Sequence, residues 1–158
     1  MNLLLGRAFW QFLLFFFVRE GLQNTAGITG LQGRWQTLGE HPLIIADTGH
    51  NIAGITEVLE NIAATPHAHL HIVIGMLKDK DVNSVLQLLP PTASYYFCQP
   101  ALLRAMPVHE LSEKAKSHGL NGEEFETVSS ALSAAKLVAK QEDLIFIGGS
   151  TFVVAEVV

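Results

Sequence analysis

Residues 42–64 read PLIIADTGHNIAGITEVLENIAA, and this stretch decides the fold. A short apolar run, 42–46, is followed by a polar turn and then by Ile52, Ile55, Leu59 and Ile62 at intervals of three or four. The first pattern suits a buried strand, and the second gives a helix one apolar face to lay against it. Asn51 stands where a side-chain oxygen can cap the first free N–H groups of that helix. A strand, a tight polar turn and an amphipathic helix are the opening half of a βαβ unit.

The same rhythm continues to the end of the chain. Strands are expected at 69–75, 94–98, 124–128 and 144–148, with helical sequence at 82–89, 109–118 and 129–140 and a helix start at Thr151. Apolar strands joined by crossover helices of about ten to fifteen residues imply a mainly parallel sheet, covered on both faces and connected right-handedly. The expected class is therefore α/β: a Rossmann-like, three-layer domain of about six strands. Ligands on such sheets bind beyond the carboxyl ends of the strands, at a switch in strand order. Tyr95 and Tyr96, neighbours in one strand, are expected to face opposite sides.

Composition fits one domain. Hydrophobic residues make up 49% and charged residues 16%, enough apolar side chain for a core in a chain of this length. Ten Lys and Arg against fifteen Asp and Glu give a formal charge of −5, the wrong sign for a general binder of nucleic acid or anionic membrane. A single cysteine, Cys98, excludes an internal disulfide framework and fits a reducing cytoplasm.

Residues 1–32 stand apart from this rhythm. FWQFLLFFFV at 9–18 is shorter than a membrane span and has no small-x-small cleavage site promptly after it. It reads better as a helix meant to pack against something else, followed by a Gly-rich linker at 27–33. A boundary is expected near Gly33.

The polar turn is the first candidate site. Asp47, at the end of its strand, offers a carboxylate that can accept two hydrogen bonds from a vicinal diol such as a ribose, and the helix start beyond it supplies donors for an anion. The competing reading is that Asp47 and Asn51 only shape the turn and cap the helix. Arg34 precedes Asp47 by thirteen positions, with a planar guanidinium suited to a base or phosphate.

Taken together, GLQGRWQ at 30–36 and DTGHN at 47–51 resemble the start of the carboxy-terminal domain of folylpolyglutamate synthases and their Mur ligase relatives. Further matches follow in order at Gly75-Met76, Asp79-Lys80-Asp81, Arg104-Ala105 and Gly148-Gly149-Ser150-Thr151-Phe152. Thr48, Gly49 and Ile52 stand where the family commonly has Gly, Ala and Pro, departures that touch turn geometry rather than functional groups. Residues 33–158 then correspond to the glutamate ligase domain, and residues 1–32 to a remnant of the preceding ATP-binding domain plus linker.

The resemblance implies an ATP-dependent ligase that activates a folate or dihydropteroate carboxylate as an acyl phosphate, which the amine of L-glutamate then attacks. It implies Arg34, Asp47, Asn51 and Lys80 at the nucleotide, and His50 and Ser150 in the cleft as catalytic and substrate-orienting groups. Arg104 would be a further anion contact, and Asn2 falls near another nucleotide-contacting position of the family. The chain contains no Gly-x-x-x-x-Gly-Lys-Ser/Thr phosphate loop and no clear Mg²⁺ carboxylate set. Both belong to the family's amino-terminal domain, so this chain is expected to supply half of an active site and to be inactive alone. A Mur-type peptidoglycan precursor ligase and a non-catalytic nucleotide- or protein-binding module are the competing functions.

One motif lies outside this scheme. His67, His69 and His71 alternate, as three metal ligands on one strand face would, although no acidic or cysteine ligand accompanies them in sequence.

Overall fold

Side-chain alternation along the strands sorts the apolar residues into two sets, and the helices divide between them. The computed structural model describes residues 32–158; the readings made for 1–31, including the apolar run at 9–18 and Asn2, lie outside the described residues. In chain order the elements are β1 (Gln36–Glu40), β2 (Leu43–Ala46), α1 (Ile52–Ala64), β3 (Leu70–Ile74), α2 (Val82–Leu86), β4 (Ser94–Cys98), α3 (Val108–Ser117), β5 (Gly122–Phe125), α4 (Val128–Val138), β6 (Leu144–Gly148) and α5 (Thr151–Ala155).

The six strands form one sheet in the order β1-β2-β6-β3-β4-β5. β1 runs antiparallel to β2, and every other pairing is parallel. The chain steps from β2 to β3, β4 and β5 in one direction, then returns through α4 to insert β6 between β2 and β3. Opposite directions of travel put the crossover helices on opposite faces. Ile55, Val58 and Ile62 of α1, Val82 and Val85 of α2 and Leu111 of α3 share one core with Ile45, Ile72, Tyr95 and Phe146. Val128, Ala131 and Ala135 of α4 and Val153 and Val154 of α5 share the other with Ile44, Val73, Tyr96 and Ile147. This is the three-layer α/β architecture expected, with the two tyrosines on opposite faces. Each fully buried Ile, Leu or Phe stabilises it by about 1.5–3 kcal/mol relative to exposure.

Two departures from the expected elements have local causes. β1 is not among the strands expected, because Gln36–Glu40 holds one large apolar residue, Leu38. An edge strand needs only partial burial and is recruited by its hairpin with β2. The expected strand at 124–128 ends at Phe125 instead. Thr127 caps α4 by accepting the Ser130 N–H at 3.1 Å, while the Ser130 hydroxyl turns back on Thr127, so Val128 becomes helical. Cys98 is buried, and burial pushes its thiol up to about 12. Among the described residues no helix is long and apolar enough to cross a membrane.

Candidate functional site at the carboxyl ends of the strands

β6 sits where the winding reverses. Its neighbours β2 and β3 exit towards α1 and α2 on one face, while β6 exits towards α5 on the other, so their loops diverge and leave a crevice. Glycines line its floor of necessity. Gly149 has φ of 86°, and a Cβ there would meet Cγ1 of Ile74 at 2.7 Å and the carbonyl oxygen of Gly75 at 2.9 Å.

On one side of the crevice, Asp47 organises the backbone around it. Its Oδ1 accepts the N–H of Gly49 and its Oδ2 the N–H of Trp35, both at 2.7 Å. Thr48 N–H donates to the carbonyl of Gly33 at 2.8 Å, and Gly33 N–H donates to Oε1 of Gln36 at 2.7 Å. These bonds lay residues 33–36 across the β2–α1 turn and bring the backbone of Arg34 next to Asp47. The Arg34 side chain is exposed. Asn51 caps α1, its Oδ1 accepting the Gly54 N–H at 2.9 Å. The turn-shaping role of Asp47 and Asn51 is thus real, and it still leaves lone pairs on both Asp47 oxygens.

The crevice itself is a small cleft of about 120 Å³ lined by His50, Leu77, Lys80, Arg104 and residues 149–152. His50 Nδ1 lies 2.9 Å from the carbonyl of Thr48. A carbonyl only accepts, so the neutral ring carries its proton on Nδ1 and keeps a lone pair on Nε2. Ser150 is buried and caps α5, its Oγ accepting the Phe152 N–H at 3.2 Å. The Arg104 guanidinium lies 5.1 Å from the centre of the Phe152 ring and 3.7 Å from Oδ2 of Asp79. Its backbone is fixed by pairing between the loops after β3 and β4: Lys78 N–H donates to Arg104 O, and Met106 N–H to Met76 O. A second hollow, lined by His50, Asn51, Lys80 and Asp81, adjoins the cleft.

Of the residues singled out in the sequence, His50, Lys80, Arg104 and Ser150 converge on this cleft. Asn51 borders the adjoining hollow, and the backbone of Arg34 passes Asp47 through the Trp35 N–H bond. Sequence reasoning assigned no role to Phe152; an aromatic residue two positions beyond the cleft serine was the available signal.

The histidine triplet belongs to the opposite end of the sheet. His71 is buried between Asp143, whose Oδ2 is 3.3 Å from Nε2, and Tyr96, whose hydroxyl is 3.2 Å from Nδ1. His69 meets Oγ of Ser94 at 2.8 Å, and His67 meets the carbonyl of Thr65 at 2.7 Å. With both His71 nitrogens engaged, no metal-binding group forms there; among the described residues no cluster of three or more His, Cys, Asp or Glu is placed to hold a metal ion.

A doubly wound, mainly parallel sheet with polar and cationic side chains gathered at its switch point defines an α/β domain whose candidate site lies at the strands' carboxyl ends. The chain belongs to the Mur ligase, glutamate ligase domain family, whose model matches residues 33–151. It is 32% identical, over 89% of its length, to the dihydrofolate synthase/folylpolyglutamate synthase of Escherichia coli, and spans 32% of that protein. Among solved structures it is similar to E. coli FolC in complex with DHPP and ADP, at 32% identity and a TM-score of 0.74, over 80% of this chain and 30% of that one. A bifunctional folylpolyglutamate synthase/dihydrofolate synthase with Mn, AMPPNP and L-glutamate bound is 29% identical, with a TM-score of 0.73 over the same shares. The chain thus spans about a third of the length of these relatives.

Proposed function

We propose that residues 33–158 are the carboxy-terminal domain of an ATP-dependent ligase that adds L-glutamate to dihydropteroate or folate. In this reading residues 1–32 are the end of an amino-terminal phosphate-loop domain and its linker, the enzyme works in the cytoplasm, and the chain alone turns over no substrate. The observation that carries it is the convergence of His50, Lys80, Arg104 and Ser150 from four different strand ends on one cleft beside Arg34 and Asp47.

The γ-phosphoryl group of ATP passes to the folate carboxylate, releasing ADP. The glutamate amine then attacks the acyl carbon and loses a proton, and inorganic phosphate departs. Asp47 would accept the ribose hydroxyls with the lone pairs its backbone bonds leave free, while Arg34 would lie along the base or phosphates and Asn51 and Lys80 would border the nucleotide. His50 and Ser150 would orient glutamate and the acyl phosphate, with Nε2 of His50 suited to take the ammonium proton. Arg104 would hold a carboxylate. Catalysis of this kind rests on positioning and charge neutralisation. Mg²⁺ supplies further neutralisation of the phosphates when bound, and this reading assigns its ligands to the amino-terminal domain.

Fusing residues 33–158 to the amino-terminal domain of the E. coli relative tests the proposal. ADP release requiring both L-glutamate and dihydropteroate or tetrahydrofolate is expected. A folded, ATP-binding fusion that responds only to a muropeptide, or to no acceptor, overturns it.

A further inference from the structure

The bonds around Asp47 tie together two parts that the nucleotide reading uses separately. Residues 33–36 cross the β2–α1 turn as a strap, pinned at Gly33 through its carbonyl to Thr48 and at Trp35 through its N–H to Asp47. Arg34 lies between the two pins. Gly33 is buried with φ of 73°, and a Cβ there would stand 2.8 Å from Cγ1 of Val154 and 2.9 Å from Cγ2 of Thr48. Only glycine fits that conformation and that gap together. Trp35 also takes a positive φ, 44°, and packs its partly buried side chain on the larger core. A non-glycine residue in this region is costly unless its surroundings hold it there, and the Asp47 carboxylate is what holds its N–H.

We infer that the 33–36 strap is a positioning element that aims Arg34 at the nucleotide, with Gly33, Trp35 and Gln36 acting through Arg34 and the Asp47 carboxylate as the shared anchor. The inference rests on the nucleotide reading given above and adds a linkage to it. A carboxylate that binds both the ribose and the strap makes nucleotide occupancy and strap order reinforce one another, and such coupling is reciprocal.

The test uses the whole chain, wild type and Gly33→Ala, with and without Arg34→Ala. Hydrogen exchange is read at the amides of Trp35 and Thr48, with the amides of β3 and β6 as the measure of an intact fold, and ATP is titrated into the millimolar range by amide shifts. Both strap amides should be protected in the free wild type and gain protection with ATP. Gly33→Ala should expose them, leave β3 and β6 unchanged and weaken ATP binding roughly tenfold, within the usual range of couplings. In the Arg34→Ala background the same change should have no further effect on ATP, because the strap acts through that side chain. A Gly33→Ala effect that persists without Arg34, or strap exposure with ATP affinity unchanged, overturns the inference. In the fused ligase, strap amides that stay protected while Arg34→Ala leaves ATP affinity unchanged sink the nucleotide reading and the linkage with it. ATP binding by a chain whose strap amides are unprotected rejects the strap alone.

Discussion

The backbone N–H of Trp35 donates to Oδ2 of Asp47 over 2.7 Å, while Oδ1 of the same carboxylate receives the N–H of Gly49. One side chain therefore closes its own turn and fastens a segment twelve residues upstream.

Asp47→Asn separates these duties. An amide can offer oxygen to only one of the two N–H groups and turns its own NH₂ towards the other. Leaving a partly buried donor opposed costs about 1–3 kcal/mol. The urea midpoint of the chain should fall accordingly; an unchanged midpoint would show that the carboxylate bonds contribute nothing to the fold.

Gly149 and Gly119 form a matched pair for isolating a steric effect. Both have positive φ, 86° and 77°, but a Cβ at Gly119 meets nothing within 4 Å, whereas at Gly149 it meets Ile74 and the Gly75 backbone. Gly119→Ala should lose about 1 kcal/mol from backbone strain alone. Gly149→Ala should lose roughly 2–4 kcal/mol, the larger value reflecting overpacking in the crevice floor. Equal losses in chemical denaturation would contradict the close approach of β3 and β6 at this point.

Acid should weaken the domain through the opposite end of the sheet. Burial holds the His71 imidazole below its ordinary value of 6.5, although the hydrogen bond to Asp143 pulls the other way. The unfolded chain therefore takes up a proton near 6.5 that the folded chain resists, and stability falls as pH drops below that value. The N–H of Lys140, foremost, keeps the Asp143 carboxyl below its ordinary 3.8, with His71 adding to the effect. Its contribution is present above 3.8 and is lost as pH falls through the lower folded value. Both groups act in the same direction. Urea midpoints at pH 7.5 and 5.5 should differ in the wild type and converge in His71→Gln; an undiminished difference in the variant would place the acid sensitivity elsewhere.

Phe152 supports Arg104 from below. Phe152→Leu keeps most of the apolar surface and removes the ring face, a loss of about 0.5–1 kcal/mol. In the fused ligase the KM for glutamate should rise by roughly two- to fivefold with kcat little changed, and in an Arg104→Ala background the substitution should have no effect. A change in kcat alone would argue against the stacked pair.

The fold was largely legible because its signals are local. Ile52, Ile55, Leu59 and Ile62 announce α1, and the β-branched runs announce the strands that sandwich burial demands. β1 escaped because Gln36–Glu40 derives its strand character from pairing with β2, a tertiary fact. Four residues of the candidate cleft, His50, Lys80, Arg104 and Ser150, could be singled out in the sequence, but their connections could not. His50 and Ser150 could be read at strand ends, but the partnership of Phe152 with Arg104 depends on two loops meeting in space. His71 shows the same limit: its alternation with His67 and His69 was visible in the sequence, but Asp143, the group that engages its ring nitrogen, lies 72 positions away.

The pairing of Lys78 with Arg104 and of Met76 with Met106 has a practical consequence for redesign. Two loops that share a ladder are not independently exchangeable, because a foreign segment of different length or backbone path on either side leaves its neighbour with open backbone groups. Anyone seeking to graft foreign loops onto this scaffold would have to transplant 76–81 and 99–106 as a single cassette, and natural variation at this end of the sheet is expected to arrive in the same paired form.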